Sequence, residues 1–215
     1  MRQVGRVLSF FVFTAMLTAA ALVSCGSSDS GGTGPSAPVD ASDGRSYPYT
    51  VPDAPCKIVI DQPPELPRYH VTVGTVVDYD SNPPSSGPHY EHWAAFQEFT
   101  TPVDRRYYVH DLEHGAIVFT YLCADDAGGC QDVRDLFHSA VASLPNDATC
   151  LALHEGVRVR TVITPDPLLD VPIAASAWGW TYQASCIDLA SLEDFVREHY
   201  RHGPEDFCNE GLTSF

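Results

Sequence analysis

A chain of 215 residues with 28 acidic and 12 basic side chains carries a formal charge of −16 at pH 7. So acidic a surface repels phosphate backbones and anionic head groups, which excludes nucleic acid as a partner and leaves a lipid anchor as the means of holding a membrane. Seven cysteines, in a chain whose start resembles an export signal, exclude a reduced cytosolic setting.

Residues 1–24 read as a secretory signal rather than as fold. Arg2 and Arg6 precede an apolar run over 7–23, and Leu22-Val23-Ser24-Cys25 closes it. The Cys after a small residue makes it a lipoprotein signal, with Cys25 acylated after cleavage. The apolar run is short of the roughly 20 residues that span a bilayer. Processing removes Arg2 and Arg6 and no acid, leaving ten basic and 28 acidic side chains, a charge of −18. The expected location is the cell envelope, extracytoplasmic and lipid-anchored. Gly26 rather than Asp after Cys25 favours the outer membrane if the cell is Gram-negative. From 26 to 50 the chain is rich in Gly, Ser, Pro and Asp and buries too little to order itself, so it reads as a flexible tether. The globular domain is expected over 51–215.

Beyond Cys25 six cysteines remain: Cys56, Cys123, Cys130, Cys150, Cys186 and Cys208. An even count in an exported chain predicts three disulfides. Cys123 with Cys130 is the natural local pair. Cys150 with Cys186 and Cys56 with Cys208 would then staple distant segments, among fifteen connectivities. No Cys-x-x-Cys is present, so the usual thiol-redox motif is missing.

In chain order, 56–60 is a short edge strand among prolines and 69–79 alternates as strand or extended chain. Asn82-Pro83-Pro84 stiffens an irregular loop. Pro88 opens a short helix to about residue 99. The clearest buried strand is 116–121. The clearest helix is 131–144, where Val133, Leu136, Phe137, Ala140, Val141 and Leu144 recur at helical spacing. A second strand is expected over 149–154, a third over 158–163, and a core strand over 173–182 with Trp178 and Trp180 on one face. Ser191 caps a final helix, which Gly203-Pro204 ends. The fold class is α+β: one disulfide-stapled domain, a small mixed β-sheet with helices packed on it, its second half thioredoxin-like or ferredoxin-like in layout.

Four of the nine histidines fall between 89 and 114. His110-x-x-Glu113-His114 matches the His-x-x-Glu-His pattern of inverted zinc peptidases. On a helix His110 and His114 share a face about 5–6 Å apart at Cβ. Extended, they stand about 13 Å apart, too far for one ion. Gly115 stops a helix and a strand follows, so at most one turn is expected, against the long helix a peptidase needs. His89 and His92 add ligands from the segment after Pro88. The candidate metal ligands are therefore His89, His110 and His114, with His92 as a further candidate and Glu113 as fourth ligand, orienting group or catalytic base. His70, His138, His154, His199 and His202 read as hydrogen-bonded structural residues. Both methionines lie in the signal and the cysteines are oxidised, so soft sulfur ligands are missing and copper(II) or zinc fits the imidazoles best.

Ser81-Asn82-Pro83-Pro84-Ser85-Ser86-Gly87-Pro88-His89, Val109-His110-Asp111-Leu112-Glu113-His114-Gly115, Ala177-Trp178-Gly179 and His202-Gly203-Pro204-Glu205 resemble, in the same order, the motifs of the bacterial domain-of-unknown-function family 3105. The resemblance spans 73–205. Ser85 and Asp111 stand where Thr and Asn are commoner. It implies an exported or anchored protein whose shared site includes His89, His110, Glu113 and His114, and it implies no activity; His92 does not clearly fall on a motif position.

Three functions follow as expectations: an exported lipoprotein that binds a transition metal, copper or zinc, for handling or sensing; a metalloenzyme at the same site with Glu113 as general base on bound water; or a metal-free, disulfide-stapled interaction domain. The partners are the membrane, through Cys25, and the metal ion.

Overall fold

The computed structural model describes residues 55–123, 130–153 and 156–215. The signal, Cys25, the tether and His154 lie outside the described residues.

Five strands form one mixed sheet in the order β1-β7-β6-β4-β5: β1 (Ile58–Asp61), β4 (Ile117–Tyr121), β5 (Thr161–Pro165), β6 (Ile173–Ala177) and β7 (Trp180–Ala184). β4 and β5 are parallel, and the other pairs are antiparallel. Parallel neighbours need a crossover, which α2 (Gln131–Ser143) and α3 (Ala148–Leu153) supply. A hairpin, β6–β7, and a last helix, α4 (Leu189–His199), follow. A ferredoxin-like βαββαβ layout needs a strand after the last helix. Here the fifth strand is β1, from ahead of the unit, so the thioredoxin-like layout is the one adopted.

Inward of the edge strand β1 the sheet is buried on both faces. Ile117, Phe119 and Tyr121 point to one side, where Val133, Phe137 and Ala140 of α2 and Leu192, Phe195 and Val196 of α4 cover them. Val118 and Val162 point to the other, against Tyr108, Val109 and Leu112 of α1 (Arg105–Glu113) and against Phe99, Val103 and Trp178. The period-2 alternation along β4 thus feeds two cores.

The strand expected over 116–121 and the helix over 131–144 are present. The 56–60 strand is present too, at the sheet edge. Other expectations are corrected. The segment after Pro88 is not helical: β3 (His89–Tyr90) pairs in parallel with β2 (His70–Val71), and Ala94 and Glu98 bridge to Leu212 and Ile163. Residues 149–153 are helix, not strand. The Asp147 side chain accepts from Thr149 N at 2.9 Å, an N-terminal cap, and Leu151 and Leu153 stay exposed. The strand expected over 158–163 is β5, which pairs with β4 rather than with the 149–154 segment. The strand expected over 173–182 is a hairpin turning at Gly179 (φ +73°). Trp178 therefore packs with α1 while Trp180 stacks on His199 across the sheet, and the two do not share a face. Asp188, not Ser191, caps α4, accepting from Ser191 N. α4 ends at His199, before Gly203-Pro204.

Cys123–Cys130 joins β4 to α2 as expected. The two distant pairs are exchanged: Cys56 bonds Cys186, and Cys150 bonds Cys208. The first follows from β1 pairing with β7, which brings residues 56 and 186 together. The second ties α3 to the C-terminal tail. Each bridge contributes about 2–4 kcal/mol, chiefly by restricting the unfolded chain in the loop-entropy account.

Candidate metal centre

The site is built on α1 and on the Pro/Gly loop before β3. The Asp104 side chain caps α1 by accepting from Arg106 N, so the helix begins well upstream of His110. The expectation of a single turn is corrected: α1 runs nine residues, about two and a half turns, before Gly115 (φ +81°) stops it. Residues Tyr108 to Glu113 are all buried, so the helix carries its histidines and acids inward.

Hydrogen bonds set the loop against the helix. Arg105 donates to Asp166 Oδ2 (2.9 Å) and to Asn82 Oδ1 (2.7 Å), and Gln183 donates to the Asn82 carbonyl (2.7 Å). Gly179 N donates to the Ser85 carbonyl at 2.8 Å. Leu66 lies where a Cβ on Gly87 (φ +121°) would come within 3.2 Å, so this position suits glycine. His89 follows two residues later.

Four side chains bring one donor atom each to within 4.8 Å of one another: His70, His89, His110 and Glu113. His89 Nδ1 lies 2.8 Å from the Gly87 carbonyl and His110 Nδ1 lies 2.7 Å from the Tyr90 carbonyl. A carbonyl only accepts, so both rings donate from Nδ1 and, when neutral, turn a bare Nε2 inward. Those Nε2 atoms lie 3.0 and 3.9 Å from Glu113 Oε2. Although His89 Nε2 is that close to a carboxylate oxygen, it is buried without a hydrogen-bond partner. Two lone-pair atoms facing each other repel unless a proton or a metal cation lies between them, and burial, which lowers the His89 pKa, disfavours the proton. Donors bound at about 2.0–2.2 Å to one tetrahedral ion stand roughly 3.3–3.6 Å apart, between the two observed separations. Arg68 Nη1 donates to Glu113 Oε1 at 3.0 Å and leaves Oε2 facing the imidazoles. Ring nitrogens pinned by carbonyls, with an oriented carboxylate, make the outer shell that metal-ligating histidines ordinarily carry.

Burial holds the rings neutral. It lowers the His89 pKa, and it pulls His110 down to about 4 with the neighbouring His89 adding to the effect. His114 is lowered to about 3, again by burial first and His110 next.

The structure places the expected residues as follows. His89, His110 and Glu113 are among the four. His114 lies beside them, its ring 4.5 Å from that of His110, its Nε2 3.7 Å from Glu205 Oε2 and its buried Nδ1 unpartnered. His92 is exposed and stands outside the four. His70, read from sequence as structural, is the fourth member. Its place comes from β2–β3 pairing, which sets residue 70 opposite residue 89. No local spacing carries that information. Of the other histidines, His138 meets Glu98 (3.0 Å) and His199 stacks on Trp180.

Around the site, Trp93 sets its ring 5.0 Å from His110 and 4.6 Å from His114. Buried Asp111 accepts from Ala94 N (3.2 Å), and burial raises its carboxyl pKa well above the ordinary value. Arg160 is fully buried, donates to the His114 carbonyl (2.8 Å) and pairs with Asp147 (3.1 Å) and Asp206. The tail closes over the end of α1, with Glu205 N donating to the Glu113 carbonyl (2.9 Å). Gly203 packs so closely there that a Cβ would stand 2.3 Å from Gly115 N and 2.4 Å from the Glu113 carbonyl oxygen. Gly203→Ala is expected to lose about 1–3 kcal/mol in urea denaturation, as overpacking does where the contact is backbone. A loss under about 0.5 kcal/mol, the scale of a neutral surface change, would contradict this packing.

The four sequence motifs thus meet in one place: the loop delivers His89, α1 delivers His110 and Glu113, Trp178 lines the adjoining core, and Glu205 approaches His114. Comparison with curated proteins and with solved structures finds no match. A family model described as "Protein of unknown function (DUF3105)" matches residues 70–210, a span that takes in all four clustered residues. With these motifs in order and about two thirds of its length matched, the chain belongs to the DUF3105 family.

Proposed function

We propose that His70, His89, His110 and Glu113 bind one divalent transition-metal ion, zinc or copper(II), and that the protein handles or senses that ion at the cell envelope, held there by acylated Cys25. The observation that carries the reading is the pair of buried imidazoles, each pinned at Nδ1 by a backbone carbonyl, that turn bare Nε2 atoms toward one carboxylate oxygen. The described disulfides consume all six cysteines after Cys25, and both methionines lie in the signal, so the donors left are imidazole and carboxylate. That set favours zinc or copper(II) over copper(I). Three disulfides also suit an oxidising compartment outside the cytoplasm.

Glu113 serves better as ligand than as general base. Arg68 engages one of its oxygens, and the other faces His89 and His110. The binding reading therefore stands ahead of the enzyme reading.

Elemental analysis of the purified protein after reconstitution is the test. About one ion per chain is expected in the natural protein and a small fraction of that in His89→Ala/His110→Ala. Equal, sub-stoichiometric metal in both would remove the metal reading and leave the disulfide-stapled interaction domain.

A further inference from the structure

Three of the four donors are locked in place and one is not. His89, His110 and Glu113 are buried, and each is fixed by a hydrogen bond on its far side, from the ring Nδ1 to Gly87 or Tyr90 and from Arg68 to the carboxylate. His70 is exposed. It sits on a two-residue strand, and among the described residues its ring meets only the rings of His89 and His110, centroids 5.2 and 4.9 Å away. No hydrogen bond among the described residues holds it. A side chain free to rotate in water must be ordered each time it ligates, so its net contribution to holding an ion is the smallest of the four.

Charge identifies what replaces it. Three neutral imidazoles and one carboxylate leave a divalent ion with one net positive charge. Arg68, two residues before His70 and with its side chain 47% exposed, adds another. Glu205 offsets one of these from 3.8 Å. The mouth of the site is thus locally positive on a chain of charge −16. An incoming anion cancels that charge; a neutral ligand does not.

We propose that His70 is a displaceable ligand, and that a small monodentate anion of the carboxylate or hydroxide class takes its coordination position beside Arg68. In that exchange one metal–nitrogen bond breaks and one metal–anion bond forms, no electron moves, and the His70 ring turns to solvent. The proposal rests on the metal reading above and gives it an exchange position, which either delivery of the ion or binding of an anionic substrate would use.

The experiment loads the natural protein, His70→Ala, His70→Gln, Arg68→Ala and His110→Ala with copper(II). It counts copper per chain and then titrates azide, following the azide-to-copper(II) charge-transfer absorption. His70→Ala and His70→Gln are expected to keep about one ion per chain and to bind azide roughly tenfold more tightly than the natural protein. Arg68→Ala, once shown to be loaded, is expected to bind azide about fivefold more weakly, the loss of one near unit charge in a wet site. His110→Ala is expected to lose the copper. If both His70 variants lose copper as His110→Ala does, or if their azide affinity equals that of the natural protein, the displaceable-ligand proposal is overturned. If Arg68→Ala binds azide unchanged, the assignment to anions is overturned. If the natural protein itself holds no copper, the metal reading falls, and this proposal with it.

Discussion

Saturating the metal-free protein with zinc or copper(II) is expected to raise its melting temperature, and His110→Ala is expected to abolish the rise. A ligand that binds only the folded chain adds about 2.7 kcal/mol of stability at a hundred times its Kd. A domain of 150–250 residues gains about 2–4 °C per kcal/mol, so the shift is about 5–11 °C. His110 is the discriminating position because it stands on α1, its Nδ1 is committed to the Tyr90 carbonyl, and its Nε2 faces the carboxylate. The variant also loses a buried ring, so its absolute melting temperature will differ. The metal-dependent rise is the readout. His138→Ala is the control: that side chain is half exposed, bonds Glu98 and lies outside the cluster, and its metal-dependent rise should equal the natural one. A rise that survives in His110→Ala would place the ion elsewhere on the chain.

Arg160→Ala is expected to be the most damaging single change away from the cluster, costing about 3–5 kcal/mol in urea denaturation. Arg160 is wholly buried and carries three attachments at once: Nη1 to the His114 carbonyl at the end of α1, and Nη2 to Asp147 and Asp206. Asp147 is itself buried, takes the Tyr200 hydroxyl (2.8 Å) and caps α3. Truncating the guanidinium leaves that carboxylate in the interior with only the more distant Arg201 Nε (3.8 Å) as counter-charge and leaves the His114 carbonyl without its donor. Arg160→Lys is expected to recover only part of the loss, since one ammonium cannot reproduce a fork that reaches a carbonyl on one branch and carboxylates on the other. A cost below 1 kcal/mol for Arg160→Ala would mean that the tail and α1 are held by other contacts.

Legibility followed the range of the interaction. α2 was readable because Val133, Leu136, Phe137 and Ala140 all lie on its buried face, so its period is written in apolar residues. β4 was readable as an unbroken buried run. α1 was not, because its inward face carries His110, Asp111 and Glu113, and a hydrophobic period cannot register a helix that buries polar groups. The 149–153 segment misled in the opposite sense. Its leucines are apolar but exposed, and Asp147 with the Cys150–Cys208 bridge decides its helix and its place.

The sequence by itself determined the acidity, the six cysteines after Cys25 and the motif order, and it nominated His89, His92, His110, His114 and Glu113 together as candidates, since each is a matter of composition or spacing along the chain. Only the tertiary structure decided that His70 joins them, that His92 stands outside, which cysteines pair at long range, and that Arg160 locks the end of the site helix. The physical reason is common to all four. Each depends on segments far apart in sequence meeting across strand pairing or core packing, as residue 70 meets residue 89 in a two-residue parallel pair, and such meetings leave no period within either segment.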